Sequence, residues 1–124
     1  MHELAITENL IEIAIEEGTK NDLVSINEIK VVIGRMHQLV PDLLYFAFET
    51  ATENTIARHA RLEIEWVPIE MQCHDCGKIF TIEDILFICQ DCGSSRLTQL
   101  KGKELYVKSI EGTEYGNHHL KTGS

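Results

Sequence analysis

The chain has 124 residues, enough for one compact domain carrying a small appendage but too few for a second full hydrophobic core. Its 20 acidic side chains stand against 11 basic ones, and the resulting net charge of −9 repels phosphate backbones and leaves no electrostatic route to non-specific nucleic-acid binding. No apolar run approaches the roughly 20 residues needed to cross a bilayer, and the opening residues lack the basic-then-apolar pattern of a secretion signal, so a cytoplasmic protein without membrane insertion is expected.

In chain order, the opening Met1-His2-Glu3 is the first chemical candidate. A histidine at position two can place its imidazole beside the chain's amino group and the intervening amide, closing a five-membered and a six-membered chelate ring. Three nearly coplanar nitrogens, one of them a deprotonated amide, suit Ni(II) and Cu(II) rather than tetrahedral zinc. Taken alone, a histidine near a terminus is also ordinary, because termini are usually frayed.

From Glu3 to Glu17, Ile6, Leu10, Ile13 and Ala14 recur at helical spacing, with Gly18 placed as a C-terminal cap. Ile29, Val31 and Ile33 alternate with Glu28, Lys30 and Val32 ahead of Gly34, which predicts a strand. A second helix is expected from Pro41 to Asn54: proline suits the first turn, Leu44, Ala47, Phe48 and Ala51 form one stripe, and Leu43 and Phe46 widen it. Leu62, Ile64 and Trp66 alternate with Arg61, Glu63 and Glu65 in a half-buried strand, and Leu105 to Ile110 reads as a third. The run from Ile29 to Val67 predicts a right-handed crossover between parallel strands, with the third strand free to return antiparallel.

Between the second and third strands lie two matched knuckles, Cys73-His74-Asp75-Cys76-Gly77 and Cys89-Gln90-Asp91-Cys92-Gly93. Paired cysteines three positions apart converge on one ion, and the following glycine takes the backbone angles that aim amides at sulfur. Zinc bound by Cys73, Cys76, Cys89 and Cys92 is the expected occupant; two disulfides or four core thiols would need a different setting. The expected architecture is therefore α+β: a small mixed three-stranded sheet covered by two helices, formed by residues 1–67 plus 103–113, with a zinc-ribbon module inserted at 68–102 and a flexible tail at 114–124. Ile79, Phe80, Ile82, Ile85, Leu86, Phe87 and Ile88 are expected to pack beside the metal. Within Pro68 to Gly102, Lys78, Arg96 and Lys101 face five carboxylates, so the ribbon offers no basic face for nucleic acid.

Met1-His2-Glu3-Leu4, Ile33-Gly34, Phe46-Ala47-Phe48-Glu49, Leu62-Glu63-Ile64-Glu65, the two knuckles and Lys103 to Glu111 resemble the HypA/HybF hydrogenase nickel-incorporation family over nearly the whole chain. The resemblance implies a nickel metallochaperone that, with a maturation GTPase, serves the large-subunit precursor of [NiFe]-hydrogenase. It implies nickel as transferable cargo at Met1, His2 and Glu3, with Glu3 a nearby donor or orienting group, and a structural zinc on the four cysteines. No nucleophile and base constellation or glycine-rich phosphate loop is visible, so an enzyme is not expected, and GTP hydrolysis is left to the partner. The alternatives are a zinc-ribbon adaptor of nucleic-acid or transcription machinery and an iron-thiolate electron carrier. One departure stands out: the family usually carries an acidic residue after Ile-Gly, where this chain has Arg35-Met36-His37. Arg35 could repel a bound cation or pair with Glu3, His37 could supply a fourth nickel donor, and His118-His119 could form an auxiliary metal pair.

Overall fold

The computed structural model describes the backbone of residues 2–83, 86–114 and 118–123, and the side chains of 3–83 and 86–114. The chain divides into two compact units: Met1–Val32, Leu39–Glu65 and Tyr106–Ser124 make the first, Ile33–Gln38 and Trp66–Leu105 the second.

In the first unit α1 runs His2–Lys20, longer than the periodicity predicted. Gly18 is not its cap. A Cβ there would stand 3.1 Å from Ile26 Cδ1, so Gly18 serves close packing inside the helix. The stop comes at Asn21 and Asp22, whose amides bond the Gly18 and Thr19 carbonyls (both 3.1 Å), with Asp22 left-handed at φ 59°. The buried stripe is Glu3, Thr7, Leu10, Ile11, Ala14 and Gly18. Ile13, expected in the core, is exposed, because the stripe leans one residue towards Ile11. Two of the buried residues are polar, which is why apolar periodicity alone misplaced the face.

Against α1 packs α2, Pro41–Thr52, burying Leu44, Ala47, Phe48 and Thr52. Thr52 takes the stripe's last position, its hydroxyl donating to the Phe48 carbonyl at 2.8 Å. Leu43 and Phe46 were expected on the buried face and are exposed, Phe46 at 69%. They lie one residue ahead of Leu44 and Ala47, about 100° around the helix from the buried stripe.

The sheet contains the expected small three-stranded mixed core, β2 (Arg61–Val67), β1 (Leu23–Gly34) and β6 (Leu105–Glu114), in that order. A fourth strand, β7 (His118–Gly123), pairs antiparallel with β6, His118 opposite Glu114. Val32, which strict alternation places outward, is buried with Val31 and Ile33, as a central strand covered over its last residues requires. Ile26, Ile29, Leu44 and Ile110 are among the largest fully enclosed side chains.

The second unit is an antiparallel three-stranded sheet with β3 (Ile69–Cys73) between β4 (Ile79–Ile82) and β5 (Leu97–Lys101). Ile69, Met71, Cys73, Phe80, Ile82 and Cys89 form its core, with Met36 and Leu97 packed against it. Phe80 and Ile82 thus lie inside as expected, whereas Ile79, Leu86, Phe87 and Ile88 are exposed, and Ile85 is outside the described residues. The alternation of β4 gives the reason for Ile79: a four-residue strand can turn only every second side chain inward.

Residues 33–38 join this unit through backbone bonds. The Gly34 amide donates to the Glu104 carbonyl (2.7 Å) and the Met36 amide to the Gly102 carbonyl (2.9 Å). A Cβ on Gly34 would fall 2.0 Å from the Gly102 oxygen, so only glycine permits the approach. The short 3-10 turn Arg35–His37 follows.

Candidate metal centre

Cys73 ends β3 opposite Leu97, and the chain then turns through His74 and Asp75 to Cys76. In each knuckle the glycine has the left-handed φ expected of it, +79° at Gly77 and +75° at Gly93. The Gly77 amide bonds the Cys73 carbonyl and the Gly93 amide the Cys89 carbonyl, both at 2.9 Å. The Cys73 amide bonds the Lys78 carbonyl (2.9 Å), and the Cys89 amide the Ser94 carbonyl (2.8 Å). The two knuckles are therefore the same turn built twice.

They bring all four sulfurs within 4.8 Å of one another, with Cys73 and Cys92 at 3.5 Å and Cys76 and Cys89 at 3.6 Å. Tetrahedral zinc with sulfur bonds of about 2.3 Å needs sulfurs about 3.8 Å apart, so the cluster fits that ion. No other group of three or more potential ligands is found among the described residues.

The thiols are unequal. Cys73 falls to about 7 from its ordinary 9.0, first because the Cys76 amide points at its sulfur. Cys89 is lowered in the same way by the Cys92 amide. The Ser94 amide alone would lower Cys92, but crowding by the other thiols, Cys73 first, outweighs it and pushes Cys92 up to about 12. Two sulfurs thus ionise readily and two resist following them. A divalent cation removes that conflict, so metal binding releases protons and weakens in acid.

Charged side chains cross between the knuckles. Lys78 Nζ meets Asp91 Oδ1 at 3.0 Å, Arg96 Nη1 meets Asp75 Oδ1 at 3.0 Å, and Ser94 Oγ donates to Asp75 Oδ2. In the sequence Lys78, Arg96, Asp75 and Asp91 are legible only as charge. The overlooked signal was the aspartate immediately before the second cysteine of both knuckles.

At the other end of the chain, Met1 is outside the described residues, and of His2 only the backbone is described, as the first residue of α1. Glu3 is buried, and its Oε2 accepts the Val40 amide at 3.0 Å. That bond holds the Glu3 carboxyl below its ordinary value of 4.5. Because Val40 also caps α2, its carbonyl accepting the Leu44 amide at 3.0 Å, Glu3 ties the first turn of α1 to the first turn of α2. Val40 was invisible to sequence reasoning because the backbone, not the side chain, makes the contact.

Two other candidate residues, Arg35 and His37, are engaged within the second unit. Arg35 lies over the Trp66 ring, 5.3 Å from its centroid, as a cation–π pair within the second unit. His37 donates Nε2–H to the Lys103 carbonyl at 3.0 Å, also within that unit. His74 bonds Thr98 and His59 accepts from Arg58 Nε at 3.2 Å. The side chains of His118 and His119 lie outside the described residues.

A two-helix α+β unit whose chain is interrupted by a four-cysteine ribbon defines a small metal-handling protein. The family model described as hydrogenase/urease nickel incorporation, metallochaperone, hypA matches residues 1–112. The hydrogenase maturation factor HypA of Moorella thermoacetica is 33% identical over 112 residues, covering 90% of this chain and 99% of that protein. The factor of the same name from Campylobacter jejuni is 37% identical over 111 residues, covering 89% and 97%. The solution structure of the Ni metallochaperone HypA from Helicobacter pylori matches with a TM-score of 0.64 at 27% identity, over 91% of this chain and 98% of that one. The chain belongs to the HypA family of nickel-incorporation metallochaperones. An adaptor of nucleic-acid machinery is not favoured. Among the described residues no helix is long and apolar enough to cross a membrane.

Proposed function

We propose that this protein carries Ni(II) as cargo at Met1, His2 and Glu3 during [NiFe]-hydrogenase maturation, while Cys73, Cys76, Cys89 and Cys92 hold a structural zinc. The observation that carries the reading is the family match across residues 1–112, which takes in both the Met1-His2-Glu3 opening and the complete cysteine cluster. The two donor sets have opposite chemistry. Four thiolates close a tetrahedral shell and stabilise the ribbon. An amine, an amide and an imidazole make a planar set that leaves one position exchangeable, through which cargo can pass to a better ligand.

Glu3 enters this reading as the orienting group. With one oxygen committed to the Val40 amide, it fixes the first turn of α1, which begins at His2. Both the amine and the imidazole must lose protons before they bind, so nickel affinity falls with pH. The partners in this reading are a hydrogenase-maturation GTPase and the hydrogenase large-subunit precursor, met in the cytoplasm, and the protein itself is not an enzyme. Equilibrium dialysis against Ni(II) tests the assignment. His2→Ala should lose most high-affinity nickel and keep its zinc; unchanged nickel binding in that variant would exclude the site.

A further inference from the structure

The zinc cluster is asymmetric in its exposure: Cys73 and Cys89 are buried, whereas Cys76 and Cys92 are exposed. A competing ligand that removes the metal must begin at an outer sulfur. The residue immediately before each outer cysteine is an aspartate, and each aspartate is held by groups from the opposite knuckle. Asp75, next to Cys76, accepts Ser94 Oγ on one oxygen and Arg96 Nη1 (3.0 Å) on the other. Ser94 is itself fixed by the Arg96 amide at 3.0 Å, and the Arg96 carbonyl accepts the His74 amide at 2.8 Å. Asp91, next to Cys92, accepts Lys78 Nζ at 3.0 Å. Lys78 and Ser94 hold the same place, five residues after the first cysteine of their knuckles.

We infer that Asp75 and Asp91, clamped across the knuckles by Ser94–Arg96 and Lys78, are positioning residues that slow the departure of zinc from its exposed thiolates. This rests on the zinc reading above. The physical case is one of reach. For Cys76 to swing away from the ion, its neighbour Asp75 must leave two partners on the other knuckle, and for Cys92 to move, Asp91 must leave Lys78. Exposed ion pairs contribute little to equilibrium stability and are screened by salt. Here, though, they oppose the one motion that opens the coordination shell, so their effect appears in the release rate. In a protein that passes one metal on, such a lock keeps the other in place.

The test uses the full-length zinc-loaded protein with excess 4-(2-pyridylazo)resorcinol, following release by absorbance after zinc per chain has been measured. Asp75→Ala and Asp91→Lys should each release zinc about tenfold faster than the unmodified protein, somewhat more than one exposed pair alone would give. The charge-swapped pair Lys78→Asp with Asp91→Lys should return the rate to within about threefold of the original. Release from the unmodified protein should also quicken from low to molar salt. If Asp91→Lys holds no zinc but the swapped protein does, the lock is supported. Single variants that release at the original rate, or a swapped protein that releases as fast as Asp91→Lys or holds no zinc, overturn it. An unmodified protein that contains no zinc overturns the underlying zinc reading as well, whereas zinc present but released equally fast by every variant overturns the lock alone.

Discussion

Glu3 shows how one residue can serve packing and function together. It is a buried carboxylate whose oxygen completes a backbone amide on another helix, at the turn that carries the proposed nickel ligands. Its lowered pKa gives the contact a pH signature. The stabilisation is fully present above the ordinary value of 4.5 and is lost as pH falls through the lowered folded value, once the carboxylate is protonated. Glu3→Ala should therefore lower the urea midpoint at pH 7, with the deficit narrowing below pH 4.5; an equal deficit at pH 7 and pH 3.5 would contradict the bond's role. Thr7, one turn further along the same stripe, buries a hydroxyl without a hydrogen-bond partner among the described residues. Neither residue announces burial in a sequence, since glutamate and threonine are usually exposed.

Among the elements, those whose side chains alternate cleanly were the easiest to read. The β2 strand has its expected pattern because it lies at the sheet edge, with Leu62, Ile64 and Trp66 half-buried and Arg61, Glu63 and Glu65 exposed. The helices were legible in position but not in facing: Ile13, Leu43 and Phe46 are apolar residues on exposed surface, which hydrophobicity alone cannot separate from core. The four cysteines were legible because thiolate spacing is a property of a single turn. The contacts that anchor the knuckles were not, since Asp75–Arg96 and Lys78–Asp91 join positions 21 and 13 residues apart. The Ile33-Gly34 pair, part of the family resemblance, now has a physical reason in the approach of Gly34 to Gly102. Gly34→Ala should destabilise the second unit by at least about 2 kcal/mol, because the new methyl meets backbone rather than a movable side chain. Thermal unfolding of the zinc-loaded protein checks this, and an unchanged midpoint would mean the Gly34 and Gly102 backbones separate more easily than the structure implies.

At the scale of the molecule, the cysteine cluster lies in the second unit and the Met1-His2-Glu3 opening, the proposed nickel donor set, in the first. The departure at Arg35-Met36-His37 fits that division. Met36 packs on the ribbon core, Arg35 on Trp66 and His37 on the Lys103 carbonyl, all within the second unit. The proposed cargo site is the chain's own amino end, and it is tested most directly by nickel stoichiometry and affinity in protein that begins at Met1 against protein extended by one residue before Met1. Extension leaves every original side chain in place but removes the free amine two positions from the imidazole, so it should cost at least about a hundredfold in nickel affinity, or about 2.8 kcal/mol, with zinc per chain unchanged. An extended protein that binds nickel as tightly as the native one would contradict the account and move the site away from Met1 and His2.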